Sequence, residues 1–156
     1  MKLSYNLMPL SFQNMRPVAL ASERAGLHSV AVADSPLISR ELFMSCAECL
    51  RETKSLNVMT AVTNPLTRHP SVAASAIATL CEMAPGRLLV GIATGDSAAW
   101  GAGLRPAKVN VLRDYIIVLK QLLRGDVATW RGHEFSLHWD GYDPSLAPPI
   151  YVACSG

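Results

Sequence analysis

An α/β fold built from repeated strand and helix units is what this sequence predicts, and three observations predict it. Short apolar runs alternate with longer stretches whose apolar residues recur at three- and four-residue spacing. Half of the residues are hydrophobic and only 17% are charged, a balance suited to strands covered on both faces, as in a parallel sheet. Polar and small residues collect where the apolar runs end, at Asp34, Thr63-Asn64, Thr94-Gly95-Asp96 and Ser155-Gly156, while the opposite connections are short and bland. At 156 residues, one domain with an ample core is expected.

The elements follow in order. A first extended run, Leu3 to Met8, precedes a helical stretch from Phe12 to Ala25 that stops at Gly26, a suitable helix C-terminal cap. The run Val30-Ala31-Val32-Ala33 ends at Asp34-Ser35-Pro36. The next helix takes Ser39 as its N-cap and carries the stripe Leu42, Phe43, Cys46, Ala47 and Leu50. A third run, Val58 to Val62, exits through Thr63-Asn64-Pro65-Leu66-Thr67-Arg68-His69. Pro70 then opens a helix whose buried face is read as Val72, Ala76, Leu80 and Met83, ended by Pro85-Gly86.

The fourth run, Leu88 to Ala93, opens into Thr94-Gly95-Asp96. A long helix from Pro106 to Arg124 has Val109, Leu112, Ile116, Leu119 and Leu123 on one side and stops at Gly125. From Val127 to Trp139 polar and aromatic residues interleave, as in a small hairpin. A fifth run, Pro149 to Ala153, leads to Cys154-Ser155-Gly156. Such βαβ units close either into a doubly wound sheet or into a barrel of eight units, and the pattern alone leaves both open. Both architectures place their active sites at the C-terminal strand ends, where the polar residues collect.

Composition excludes several function classes. The formal charge of +2 is spread thinly, with no basic stripe to follow a nucleic-acid backbone. No apolar run approaches the roughly 18 residues of a membrane span. The start Met1-Lys2-Leu3-Ser4-Tyr5-Asn6 lacks the apolar stretch and cleavage site of a signal peptide, so a cytoplasmic protein is expected. Cys46 and Cys49 form C-x-x-C, yet Cys46 falls on an apolar helical stripe and no second ligand pair follows at close spacing. A core role is therefore expected, and no metal site. His133 and His138 read as surface-loop residues. The segment Gly91-Ile92-Ala93-Thr94-Gly95-Asp96-Ser97 matches neither G-x-G-x-x-G nor the P-loop pattern.

The segments Ala33-Asp34-Ser35-Pro36, Val62-Thr63-Asn64-Pro65 with Arg68-His69-Pro70, Ala78-Thr79-Leu80, Pro85-Gly86-Arg87, Gly91 to Ser97 and Ile150-Tyr151-Val152-Ala153 stand in the order and spacing of the bacterial luciferase-like oxidoreductases. The chain resembles that family over nearly its whole length, most closely the branch similar to methylenetetrahydromethanopterin reductase. The resemblance implies a (β/α)8 TIM barrel using FMN or a deazaflavin coenzyme, with hydride or oxygen chemistry at the ring. Such barrels take roughly 250 residues or more, so this chain resembles the N-terminal five βα units, an incomplete barrel that stops after the fifth strand.

The resemblance also implies site residues. Ala61-Val62 aligns with a non-proline cis peptide behind the ring. Asp34 aligns with an acid near the ring, its rival role being a cap or loop hydrogen bond. Ser35 stands where many deazaflavin members carry a catalytic histidine, which argues against sugar-phosphate dehydrogenase chemistry. Thr94, Gly95 and Asp96 align with a loop that meets the cofactor through backbone amides, and Ser155 and Gly156 with the matching contacts after strand five. Ser35, Asn64, His69 and Trp100 mark the substrate rim, His69 having a helix-capping alternative and Trp100 that of an aromatic plug. The resulting expectation is a flavin- or deazaflavin-dependent oxidoreductase for a small-molecule substrate, as a possible homodimer. The alternative is a catalytically silent partial barrel, either a truncated product or a self-pairing module.

Overall fold

The structure, a computed structural model, describes residues 1–154. Five parallel strands form one sheet: β1 (Ser4–Leu7), β2 (Ser29–Val32), β3 (Asn57–Thr63), β4 (Leu88–Ile92) and β7 (Ile150–Val152), in that spatial order. Between them lie α1 (Met15–Arg24), α2 (Leu42–Glu52), α3 (Pro70–Met83), the short α4 (Ser97–Gly101) and α5 (Val109–Leu123). The antiparallel pair β5 (Ala128–Trp130) and β6 (His133–Phe135) stands apart from the sheet as the expected hairpin. Its two-residue turn uses Arg131 and Gly132 at φ 51° and 83°, positive values at both positions as a twisted hairpin requires. The fold is the N-terminal half of a TIM barrel, left open.

The core lies between one face of this sheet and the helices. Val30 and Val32 on β2, Val58 on β3 and Leu88, Val90 and Ile92 on β4 are buried there against Leu42, Cys46, Leu50, Ala74, Ile77 and Leu119. Period-two alternation turns Ala31, Met59, Leu89 and Tyr151 to the other face. Those four are half-buried or exposed, Tyr151 at 50%. This is the face a closed barrel would enclose.

The N-terminal ends of the strands are tied by two charged side chains. Glu23 Oε1 accepts from the backbone amides of Lys54, Ser55 and Leu56 and from Ser55 Oγ, joining α1 to the turn before β3. These donors, the Ser55 amide foremost, hold its pKa down at about 2. Arg87 donates to the Leu50 and Leu56 carbonyls and to Thr53 Oγ1, closing the C-terminal end of α2.

Several local expectations are corrected. The first helical stretch opens with a 3-10 turn over Phe12–Asn14, and α5 begins at Val109, three residues after Pro106. Ser39 does not cap α2; its hydroxyl donates to the Ser35 carbonyl, and the cap is Glu41, whose carboxylate accepts from the Met44 amide at 2.8 Å. The buried face of α3 is Ala73, Ala74, Ile77, Ala78, Leu80 and Cys81, while Val72 and Met83 are exposed at 58% and 47%. Three alanines share that face with Ile77 and Leu80, so a stripe read from the large residues alone misplaces it. On α5, Val109 is exposed and Tyr115, Val118 and Leu122 join the buried side.

Candidate functional site

The C-terminal strand ends carry the chemistry, and the exit of β3 is its centre. The Ala61–Val62 peptide is cis, as the motif resemblance implied. The register against β4 shifts between Thr60 and Thr63. In the disturbed stretch the Thr60 hydroxyl stands in for backbone partners, accepting from Gly91 N at 2.9 Å and donating to the Gly91 carbonyl at 2.7 Å. Only glycine fits opposite: a Cβ at Gly91 would overlap the Thr60 carbonyl oxygen and crowd Met59 and Val62. Thr60 is fully buried, and Ala61 and Val62 are half-buried.

The exits of β2 and β3 are joined by a buried ion pair. Arg68 Nη1 donates to Asp34 Oδ2 at 2.6 Å, Arg68 Nη2 to Oδ1 at 3.1 Å, and Thr63 Oγ1 to Oδ2 at 2.9 Å. The Asp34 side chain is 1% exposed and that of Arg68 12%. Nη2 also reaches Glu41 Oε1 at 2.8 Å, and the guanidinium lies 5.1 Å over the Phe43 ring. Burial opposes the charge on Arg68, but the hydrogen bonds and charges of Asp34 and Glu41 outweigh it and raise its pKa. Tyr115 donates to the Arg68 carbonyl and fixes the loop from the α5 side. Asp34 is thus held as a fixed carboxylate with both oxygens engaged, the loop hydrogen-bonding role weighed for it from sequence.

Ser35 Oγ and Ser97 Oγ lie 2.6 Å apart, linking the β2 exit to the start of α4. Asn64 is buried; its Oδ1 accepts from Leu66 N, Thr67 N and Thr67 Oγ1, and its Nδ2 has no partner among the described residues. Gly95, at φ 93°, packs against Asn64: a Cβ there would come within 3.3 Å of Asn64 Cβ and 3.4 Å of Ala99 Cβ. Thr94 is half-buried, Asp96 is exposed, and Trp100 is 59% exposed on α4. His69 caps α3, its Nδ1 accepting from the Ser71 amide, and its ring lies 5.3 Å from that of Phe135. Ser155 and Gly156 lie outside the described residues.

The structure therefore brings Asp34, Ser35, Ala61, Val62, Asn64, Thr94 and Gly95 to one end of the sheet, and gives His69 a capping role at its border. Sequence reasoning gave no site role to Thr60, Thr63, Glu41 or Ser97. The available signal was a pair of threonines flanking Ala61-Val62 inside an otherwise apolar strand. Among the described residues no group of three His, Cys, Asp or Glu side chains could hold a metal ion, and no helix is long and apolar enough to cross a membrane. A cavity of about 600 Å3 between α5 and the hairpin, bordered by Ile117, Val127 and Trp130, lies away from these strand ends.

The exits of β3 and β4 bring small residues together. Ala61, Val62, Gly91 and Gly95 place small side chains and bare backbone on adjacent strands, and Asn64 supplies a buried donor lacking an acceptor.

The chain is 32% identical over 153 residues to an F420-dependent hydroxymycolic acid dehydrogenase of Mycobacterium tuberculosis, covering 88% of this chain and 42% of that protein. Among solved structures, the coenzyme F420 dependent tetrahydromethanopterin reductase of Methanopyrus kandleri superposes with a TM-score of 0.85 at 21% identity, covering 99% of this chain and 50% of that one. The oxygenating constituent of 3,6-diketocamphane monooxygenase from Pseudomonas putida, in complex with FMN, superposes with a TM-score of 0.77 at 15% identity, covering 97% and 51%. The two structural matches show the fold alone. The chain spans about half the length of the curated relatives it matches. The model of the luciferase-like monooxygenase family matches residues 3–156, and the chain belongs to that family.

Proposed function

We propose that this chain contributes the ring-binding end of a flavin- or deazaflavin-dependent oxidoreductase that acts on a small organic molecule. The observation that carries this reading is the β3–β4 exit, where the register shift, the small residues Gly91 and Gly95 and the unpartnered Nδ2 of Asn64 come together. Relatives named as F420-dependent and a structural neighbour holding FMN support the choice of cofactor class. When bound, the flavin or deazaflavin supplies the hydride or oxygen chemistry. Ala61 and Val62 back the ring, and the Thr94–Gly95 segment offers backbone amides to its polar part.

Asp34 serves as a buried carboxylate whose two oxygens are taken up by Arg68 and Thr63. Ser35 and Ser97 hold each other, and neither hydroxyl titrates near neutral pH as an imidazole does. That favours reactions needing no base on β2, reduction of an organic acceptor or oxygen activation, over oxidation of a sugar hydroxyl. The test is fluorescence titration of the purified chain with FMN and with 8-hydroxy-5-deazaflavin. Saturable quenching by one of them at ~10–50 μM is expected; its absence for both refutes the reading.

A second reading, a catalytically silent partial barrel, draws on the exposure of Tyr5, Tyr151 and Val152 on the outermost strands β1 and β7. It predicts self-association without ring binding. A homodimer is compatible with both readings, so sedimentation belongs beside the titration.

A further inference from the structure

Among the described residues, the buried side-chain polar atom left without a hydrogen-bond partner is Nδ2 of Asn64, in a residue 1% exposed. The orientation of the carboxamide is dictated by its surroundings. Leu66 N and Thr67 N can only donate, both at 3.0 Å, so the atom facing them must be the oxygen, and Thr67 Oγ1 at 3.2 Å adds a third donor. The amide nitrogen therefore points away from the Leu66–Thr67 turn. A buried N–H without an acceptor is costly and rare in a folded protein, and it calls for an occupant.

Its neighbours indicate which kind. Gly95 of the β4 exit packs on the Asn64 Cβ and Cγ with no side chain between, and Asn64 directly follows Thr63, which holds Asp34. The donor thus stands at the end of β3, against the β4 exit where the ring is proposed to bind. A neutral amide held rigidly by three bonds suits an uncharged carbonyl acceptor, and FMN and deazaflavins share a pyrimidinedione edge bearing two carbonyl oxygens.

We infer that Asn64 is the residue that recognises this carbonyl edge, donating through Nδ2 while the Gly95 turn shifts to admit the ring. The inference rests on the proposed cofactor class and adds the side chain that reads it. Thr67 and the Leu66 amide act through Asn64 as positioning groups.

The test compares the 156-residue chain with Asn64→Asp and Asn64→Ala, using FMN, the deazaflavin, and lumiflavin, which carries the ring without the ribityl phosphate. Asn64→Asp keeps an oxygen facing Leu66 and Thr67 but replaces the donor by an acceptor. It is expected to weaken binding of all three probes by about tenfold or more. An equal loss for lumiflavin assigns the effect to the ring. In the unsubstituted chain the ring carbonyl stretch should fall to lower frequency on binding and recover in Asn64→Ala, a change that altered folding alone does not produce. Binding by Asn64→Asp within threefold of the unsubstituted chain, or a carbonyl band that Asn64→Ala leaves in place, overturns the inference and assigns Nδ2 to a bound water. If the unsubstituted chain binds none of the probes, the cofactor reading itself fails and the inference falls with it.

Discussion

Replacing Thr60 by valine removes a hydroxyl while leaving shape and volume nearly unchanged, and it isolates the contact that holds β3 to β4 where their register shifts. Thr60 is fully buried, and its hydroxyl serves both the amide and the carbonyl of Gly91. Without it, two buried backbone groups lose their partner on the β3 side, at about 1–3 kcal/mol each. The added methyl of valine recovers under about 1 kcal/mol, so a net loss of about 3 kcal/mol is expected. For a domain of this size that lowers Tm by about 6–12 °C. Urea unfolding followed by circular dichroism reads the change directly, with the slope unchanged if the native state keeps its compactness. Thr60→Ser keeps both hydrogen bonds and should cost about 1 kcal/mol. A Thr60→Val loss below about 1 kcal/mol, or a larger loss in the serine variant, would refute the bridging role.

Three further outcomes follow from the same contacts. Arg68→Met leaves the Asp34 carboxylate buried without its counter-ion and should cost about 3–5 kcal/mol, with partial recovery when Asp34→Asn is added; equal stability of the single and double variants in urea would contradict this. Glu23, held at about pKa 2 against its ordinary 4.5, stabilises the folded chain above pH 4.5, and the benefit fades as pH falls from 4.5 towards 2. The stability gap between the unsubstituted chain and Glu23→Gln should therefore close over that interval, and a constant gap across it would exclude the mechanism. Burial pushes the Cys46 thiol well up, Cys49 to about 12 and Cys81 to about 11, while Cys154 is exposed. Alkylation of the folded chain at pH 8, read by mass spectrometry, should mark Cys154 first, and early labelling of Cys49 would contradict the burial argument.

Four of the five sheet strands were legible because each is a short apolar run closed by a polar exit, β1 as a short extended run before Pro9, and the long α5 because its stripe is strong. Where side chains are small, the pattern fades. Alanines are frequent in α3, so its core face came out rotated towards Val72 and Met83 although Ala73, Ala74 and Ile77 are what is buried. The five-residue α4 is too short to show a period. At the candidate site the strand-end residues could be named one by one, but their partnerships could not. Asp34 and Arg68 are 34 positions apart, Thr60 and Gly91 are 31 apart, and Ser35 and Ser97 are 62 apart. Such pairs follow from which strands lie side by side, and that is fixed by the packing of the whole sheet. Motif resemblance supplied what periodicity could not, since the order of the strand exits carries the memory of their neighbours.

The spatial order of β1, β2, β3 and β4 repeats their order along the chain. A nascent polypeptide emerging from the ribosome would therefore find the edge awaiting each of these strands already laid down, and the sheet grows by accretion at one margin. The hairpin and its flanking loops interrupt that growth before β7, so the slowest closure is expected at the β4 margin, where Gly91 meets Tyr151.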